Sequence, residues 1–352
     1  MTLCVGFIDS EAVYLTADSA VTVPHRPLNT EYSTFGEKQP QTPVFNVEES
    51  ALKILRHGET AAAFAGDASP INDLFSNYIS ASRMWSPQQA FGNAWASSHD
   101  GRNLQALLAY HDEGGPHLVR YDATSVAGTE VTSASIGNIA AEDKEYLRSA
   151  LQTMPLNSDV TDRLACTVCI SQRVSILLNI LETHGIGGAI AGCSVSKKGL
   201  CWAPDTLHVI LRGEMADQLS NDVLTTVLTC TRLDTLFVRN NFGPSYSGFT
   251  TNFGVNTGRS RREVVDSILS NIALLPPVDT DLKVEYIVFH DVLTHLSTIF
   301  DVRAGEHPNL KYWLHRAPSG QLNVHFTASG NGLGALRRPT TSGDIAFVPL
   351  RY

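Results

Sequence analysis

Residues 2–19 read Thr-Leu-Cys-Val-Gly-Phe-Ile-Asp-Ser-Glu-Ala-Val-Tyr-Leu-Thr-Ala-Asp-Ser. Two apolar runs, 3–9 (LCVGFID) and 12–17 (AVYLTA), flank the polar pair Ser10-Glu11. That pattern predicts two strands joined by a tight turn. The runs are nearly continuous rather than alternating, as expected for a sheet covered on both faces. Thr2 stands just ahead of the first strand. Once Met1 is removed, Thr2 carries a hydroxyl nucleophile and a free α-amine, a nucleophile and a base on one residue. A small residue in second position permits that removal, which makes Thr2 a candidate first residue of the mature chain.

Working outward, residues 23–50 hold Pro24, Pro27, Pro40 and Pro43 among polar residues. They predict a long loop, a kind of segment that is usually functional or mobile in compact domains. A second strand pair is expected at 51–57 (ALKILRH) and 60–65 (TAAAFA), with Gly58 in the turn. Gly66-Asp67-Ala68-Ser69-Pro70 then leads into a helix, with Ser69 as candidate N-cap and Pro70 as first helical residue. Ile71, Leu74, Phe75, Tyr78 and Ile79 recur at helical spacing. A further helix is expected from Ser86-Pro87 to about Ser97.

A hairpin is expected at 104–111 and 117–121 around Asp112–Pro116. A short strand ends at Gly137, and helices follow over about 140–152 and 162–183. After Gly185-Ile186-Gly187-Gly188 come strands at 189–195 and 206–212. Strands and helices in this order predict an α+β layering. Beyond about residue 215 the pattern changes. It predicts a helix at 216–238, a stretch rich in Gly, Asn, Ser and Tyr at 240–258, and a helix at 260–274 stopped by Pro276-Pro277. Strands are expected at 282–289, 310–315, 321–327 and 345–350. Residues 1–215 are thus one expected domain, and 216–352 a C-terminal α/β extension or second domain of unknown role.

The chain has 352 residues, 43% hydrophobic and 17% charged, the composition of a soluble globular protein. A net charge of −9 argues against nucleic-acid or anionic-membrane partners. No apolar run approaches the roughly 18 residues of a membrane span. No basic, apolar leader is visible either, so a cytoplasmic location is expected. Cys166 and Cys169 form a lone CxxC in an apolar helical run, a pattern of buried free thiols rather than of zinc. His290 and His295 near Asp291 lack a further ligand set, and Gly330–Gly334 has the wrong spacing for a dinucleotide fingerprint. No metal and no cofactor are therefore expected.

Several short motifs agree in order with one family. Thr2 opens the first strand, and Ala17-Asp18-Ser19 ends the second. Lys53-Ile54 opens the third strand, and Ala65-Gly66-Asp67 closes the fourth. Tyr110–Leu118 matches an exposed hairpin, Ser135-Ile136-Gly137-Asn138 a glycine turn before a helix, and Gly185–Gly188 a glycine-rich turn before the closing strands. Over residues 2 to about 212 the chain resembles proteasome β-type subunits and their bacterial HslV relatives, in the N-terminal-nucleophile hydrolase superfamily. No single motif is specific; the ordered set is.

The resemblance implies a four-layer αββα sandwich and hydrolysis of an amide through an acyl-enzyme ester on Thr2. It implies that the Thr2 amine acts as base, with an ordinary pKa of about 7.7–8.0. Lys53 would lie near Thr2 and favour deprotonation, and Asp18 would pair with Lys53. The backbone N–H of Gly66 would face the developing oxyanion. Asn138 stands where active relatives carry a serine; an amide both donates and accepts but is no hydroxyl shuttle. His184-Gly185-Ile186 stands where the proteasome places an aspartate and then a serine. The segment between Asp18 and Lys53 is far longer than in proteasome subunits. The implied partners are a peptide or protein substrate, further copies of the chain in a homo-oligomer, and an unfoldase or other protein partner. The alternative is a catalytically silent proteasome-like module that assembles or binds partners.

Overall fold

A computed structural model of the chain describes residues 2–24, 32–37, 44–49, 51–98, 103–152, 158–178, 185–212, 224–232, 234–240, 247–250, 284–292, 296–304, 310–316 and 322–328. Among them the fold is mixed α+β, with four helices and mostly antiparallel sheets. The opening hairpin forms β1 (Leu3–Ile8) and β2 (Ala12–Asp18), with Val5 opposite Thr16. It lies at the centre of a five-stranded sheet. β10 (Ser133–Gly137) pairs with β1, β11 (Ile190–Ser196) pairs with β2, and β12 (Gly199–Trp202) forms the far edge.

The second five-stranded sheet runs in simple meander order. Its strands are β5 (Ile54–His57), β6 (Thr60–Gly66), β7 (Leu104–Asp112), β8 (Gly115–Asp122) and β9 (Ser125–Glu130). The two sheets face each other, with β2 touching β7 and β8. Cys4, Val13, Leu15 and Ala17 meet Ala61, Ala63, Ala65 and Leu107 in the core between them. The small inward residues of β6 permit close approach. At Gly6 the fit is tighter still, since a Cβ there would sit 2.9 Å from Leu118 Cδ1.

Helices cover the outer faces. α1 (Ile71–Ala81) and α2 (Pro87–Ser98) bury Leu74, Phe91 and Trp95 against Ala62, Phe64 and Tyr121 of the second sheet. α3 (Ala141–Gln152) and α4 (Val160–Leu178) bury Leu147, Cys166, Cys169 and Ile170 against Leu3 and Val5 of the first. The apolar runs of β1 and β2 are nearly continuous because both faces of this hairpin are covered. Each fully buried Leu or Val there contributes about 1.5–3 kcal/mol of transfer free energy. The CxxC thiols lie in this layer, where burial pushes Cys166 up to about 12 and Cys169 well above its ordinary value. At α1 the cap differs from expectation. Pro70 is the N-cap, and the Ser69 hydroxyl instead donates to Asp67 Oδ1 at 2.8 Å.

Two expectations are corrected. The loop over 23–50 contains strand structure, because β3 (Ala20–Pro24) and β4 (Phe45–Glu49) pair antiparallel. The helix over 216–238 is absent from its described part, where β14 (Leu224–Arg232) and β15 (Thr235–Asn240) form a hairpin around Asp234. Asp234 takes φ +58, the left-handed conformation that turns tolerate in Asp. These strands belong to a six-stranded sheet of order β16-β15-β14-β13-β17-β18. The others are β13 (Thr206–Leu211), β16 (Ser247–Thr250), β17 (Tyr286–Asp291) and β18 (Leu296–Asp301). β13 lies before residue 215 and β14 to β18 after it, so the two portions of the chain share one sheet. β17 and β18 pack on α4, and Arg303 fastens the contact through Asp159, Asp162 and Asp301. A separate hairpin joins β19 (Leu310–Arg316) and β20 (Leu322–Ala328). The expected helix at 260–274, the strand at 345–350, His184, His295 and Gly330–Gly334 lie outside the described residues. No helix among the described residues is long and apolar enough to cross a membrane.

Candidate active site

The hairpin that decides the fold also builds the site. Asp18 is the last residue of β2, opposite Ile190 of β11. Its Oδ1 accepts hydrogen bonds from Leu3 N at 2.9 Å and from Lys53 Nζ at 2.6 Å. Its Oδ2 accepts from Gly187 N at 3.1 Å. Lys53, just before β5, also donates to the Ala20 carbonyl. Lys53 is 4% exposed and Asp18 1%, so this ion pair is buried. An ion pair so far from water persists only when further donors and acceptors satisfy it, as they do here. Cys4 lies in the same region, its Sγ donating to Phe64 O at 3.3 Å. Burial pushes its thiol strongly up, opposed by the Lys53 charge and reinforced by that of Asp18.

Beside this pair a cleft of about 270 Å³ is lined by Thr2, Gly66, Asp67, Asn103, Gly137 and Asn138. Its two glycines end neighbouring walls, β6 and β10, and both take φ +101. A Cβ on Gly66 would fall 1.9 Å from Asn103 O, and one on Gly137 would fall 1.7 Å from Thr2 O. Backbone therefore approaches backbone here as only glycine allows. Asn138 N donates to Thr2 O at 3.2 Å, and Gly137 N donates to Gln105 Oε1 at 2.8 Å. Gly137→Ala is expected to lower stability by about 3 kcal/mol or more, since left-handed strain and the clash add. Urea unfolding checks this; a loss under 1 kcal/mol would contradict the packing.

The structure thus brings Thr2, Gly66 and Asn138 to one cleft, with Asp18 and Lys53 paired behind Leu3. Asn138 is exposed, and its contact with Thr2 shown here is through the backbone. Sequence reasoning missed Asn103 and Gln105, which no motif flags, and it missed Gly187 as the third donor to Asp18. Glu37 and Glu49, in the segment expected to be a loop, were also missed. Among the described residues no group of three or more His, Cys, Asp or Glu is arranged to hold a metal. No family model matches the chain, and no curated protein matches it.

Proposed function

We propose that this cleft is the active site of an N-terminal-threonine amide hydrolase. Its frame would be the four-layer αββα sandwich of proteasome β-type subunits, and its substrates peptides or proteins. One observation carries the reading. The Lys53 ammonium and the Leu3 N–H converge on one oxygen of Asp18, immediately next to Thr2, which lines the cleft.

In this reading, cleavage of the Met1–Thr2 bond frees the Thr2 amine. That amine takes the hydroxyl proton while the hydroxyl oxygen attacks the substrate carbonyl. The nearby Lys53 charge favours the neutral amine at working pH. Asp18 holds Lys53 in place and keeps its charge paired. The oxyanion develops beside Gly66, whose backbone N–H would donate to it. The leaving amine takes the proton, and water then hydrolyses the Thr2 ester.

The test is chemical. Natively produced protein is expected to lack Met1 by intact mass, and a peptide vinyl sulfone is expected to label Thr2. Thr2→Ala is expected to take no label at that residue. Protein that keeps Met1 and stays unlabelled would sink the reading and favour a silent partner-binding module.

A further inference from the structure

Three successive backbone N–H groups of the glycine-rich loop before β11 each meet a carboxylate, those of Asp18 and Glu37 buried and that of Glu49 half-buried. Gly187 N donates to Asp18 Oδ2 at 3.1 Å, Gly188 N to Glu37 Oε2 at 3.0 Å, and Ala189 N to Glu49 Oε1 at 2.6 Å. Glu37 and Glu49 both come from the segment between Asp18 and Lys53, the part that is longer than in proteasome subunits. Glu49 Oε1 also accepts from Ser19 Oγ at 3.1 Å and Thr34 Oγ1 at 2.7 Å, and its Oε2 accepts from Thr34 N. Gly188 takes φ +72, and a Cβ on it would fall 2.2 Å from Glu49 Oε1. The carboxylate therefore lies directly against the loop. From the other side Gln172 Nε2 donates to Gly188 O at 2.8 Å, and Ile190 N donates to Gln172 Oε1 at 3.0 Å.

Glu49 reaches Asp18 by two routes. One is Ser19, the residue next to Asp18 in the chain. The other is the loop that presents the Gly187 N–H to Asp18. Asp18 in turn holds both Lys53 and the backbone next to Thr2. We infer that Glu49 is a positioning residue for the Thr2 site: the long insert, through Glu49, sets the orientation of the Asp18–Lys53 pair. This rests on the reading of Thr2 given above. It assigns the insert a part in the chemistry, where sheet geometry alone would leave Asp18 one route of support fewer.

The experiment uses the full chain with Met1 removed, comparing wild type with Glu49→Gln. Two readouts are taken: the rate of Thr2 labelling by a peptide vinyl sulfone against pH, and amide hydrogen exchange at Leu3 and Gly187. Glu49→Gln keeps the size of the side chain but loses its charge and one of its two acceptor oxygens, setting an NH2 group against the Thr34 N–H. It is expected to slow labelling at pH 7.5 about threefold to sixfold and move its pH midpoint upward by about one unit, because a less firmly held Lys53 depresses the amine less. Exchange at Leu3 and Gly187, the two backbone donors to Asp18, is expected to quicken. An unchanged midpoint and unchanged exchange, with only a lower melting temperature, would overturn the inference and leave the Thr2 reading standing. Wild type that takes no label at any pH would overturn both. Should Glu49→Gln fail to fold, Ser19→Ala removes only the link between Glu49 and the neighbour of Asp18. It is expected to shift the midpoint in the same direction by a smaller amount, and no shift would overturn the inference.

Discussion

Lys53→Met is expected to lower the rate of Thr2 labelling by at least about a thousandfold, and to cost about 3–5 kcal/mol of folding stability. Both effects have one origin. Asp18 is buried at the end of β2, and Lys53 is the cation bonded to its Oδ1. Removing the ammonium leaves a carboxylate with only the Leu3 and Gly187 N–H groups among the bonds described above. Breaking a buried pair by deleting one partner costs more than the pair contributes, because a charge stays in a poorly solvating place. The double variant Asp18→Asn/Lys53→Met removes the stranded charge. It is expected to regain about 1–3 kcal/mol relative to Lys53→Met alone, while labelling stays lost.

That separation distinguishes a structural pair from one serving Thr2. Denaturant unfolding reads the stability cycle, and mass spectrometry of the labelled protein reads reactivity. If the double variant regained labelling, Lys53 would be a scaffold element, and its charge would have no part in activating Thr2. If Lys53→Met were labelled at the wild-type rate, the proposed chemistry would be wrong.

The reason the sequence was readable at β1 and β2 is physical. Both faces of that hairpin are covered, so Leu3–Phe7 and Ala12–Ala17 are apolar but for Thr16, whose hydroxyl meets that of Ser171. Two such short runs split by Ser10-Glu11 suit a buried strand pair, each being shorter than an ordinary helix. β14 misled for the opposite reason. Leu224, Val227 and Leu228 stand at helical spacing, and that spacing equally suits a strand with both faces partly buried. Pairing with β13 and β15 decides the matter, and periodicity does not contain it. The short strands β3 and β4 were hidden by the prolines around them.

The same contrast holds at the site. Thr2, Asp18, Lys53 and Gly66 stand out in the sequence only as short motifs in a given order; the structure pairs Asp18 with Lys53 and sets Thr2 and Gly66 in one cleft. Glu37 and Glu49 do not stand out, because an acid in a proline-rich stretch is ordinarily solvated. Their burial is created by a loop far away in sequence, 140 residues in the case of Glu49 and Ala189. No local pattern announces such a contact.

Glu37 gives the second large effect, on stability against pH. Burial pushes its carboxyl from an ordinary 4.5 up to about 7, with Glu49 beside it reinforcing the rise. The hydroxyl of Ser175, the Gly188 N–H and the Arg212 charge oppose it. The folded protein therefore binds this proton more tightly than the unfolded chain does. For an acid raised in this way, the stabilisation is fully present below about pH 4.5. It is lost as the pH climbs to about 7 and is constant above, since both states are then ionised. The gap corresponds to about 3 kcal/mol, as an order of magnitude. Glu37→Gln copies the neutral form. Its Oε1 can accept from Gly188 N, and its amide can donate to Ser175 Oγ, the hydroxyl now bonded to Glu37 Oε1 at 2.7 Å. The variant is expected to match wild type within about 1 kcal/mol at pH 4.5, and to exceed it by about 2–3 kcal/mol at pH 8. Urea unfolding of both proteins at the two pH values measures the difference directly. A difference that does not grow with pH would mean that Glu37 is ionised in the folded state throughout. In that case the hydrogen bonds from Ser33, Ser175 and Gly188 would outweigh burial.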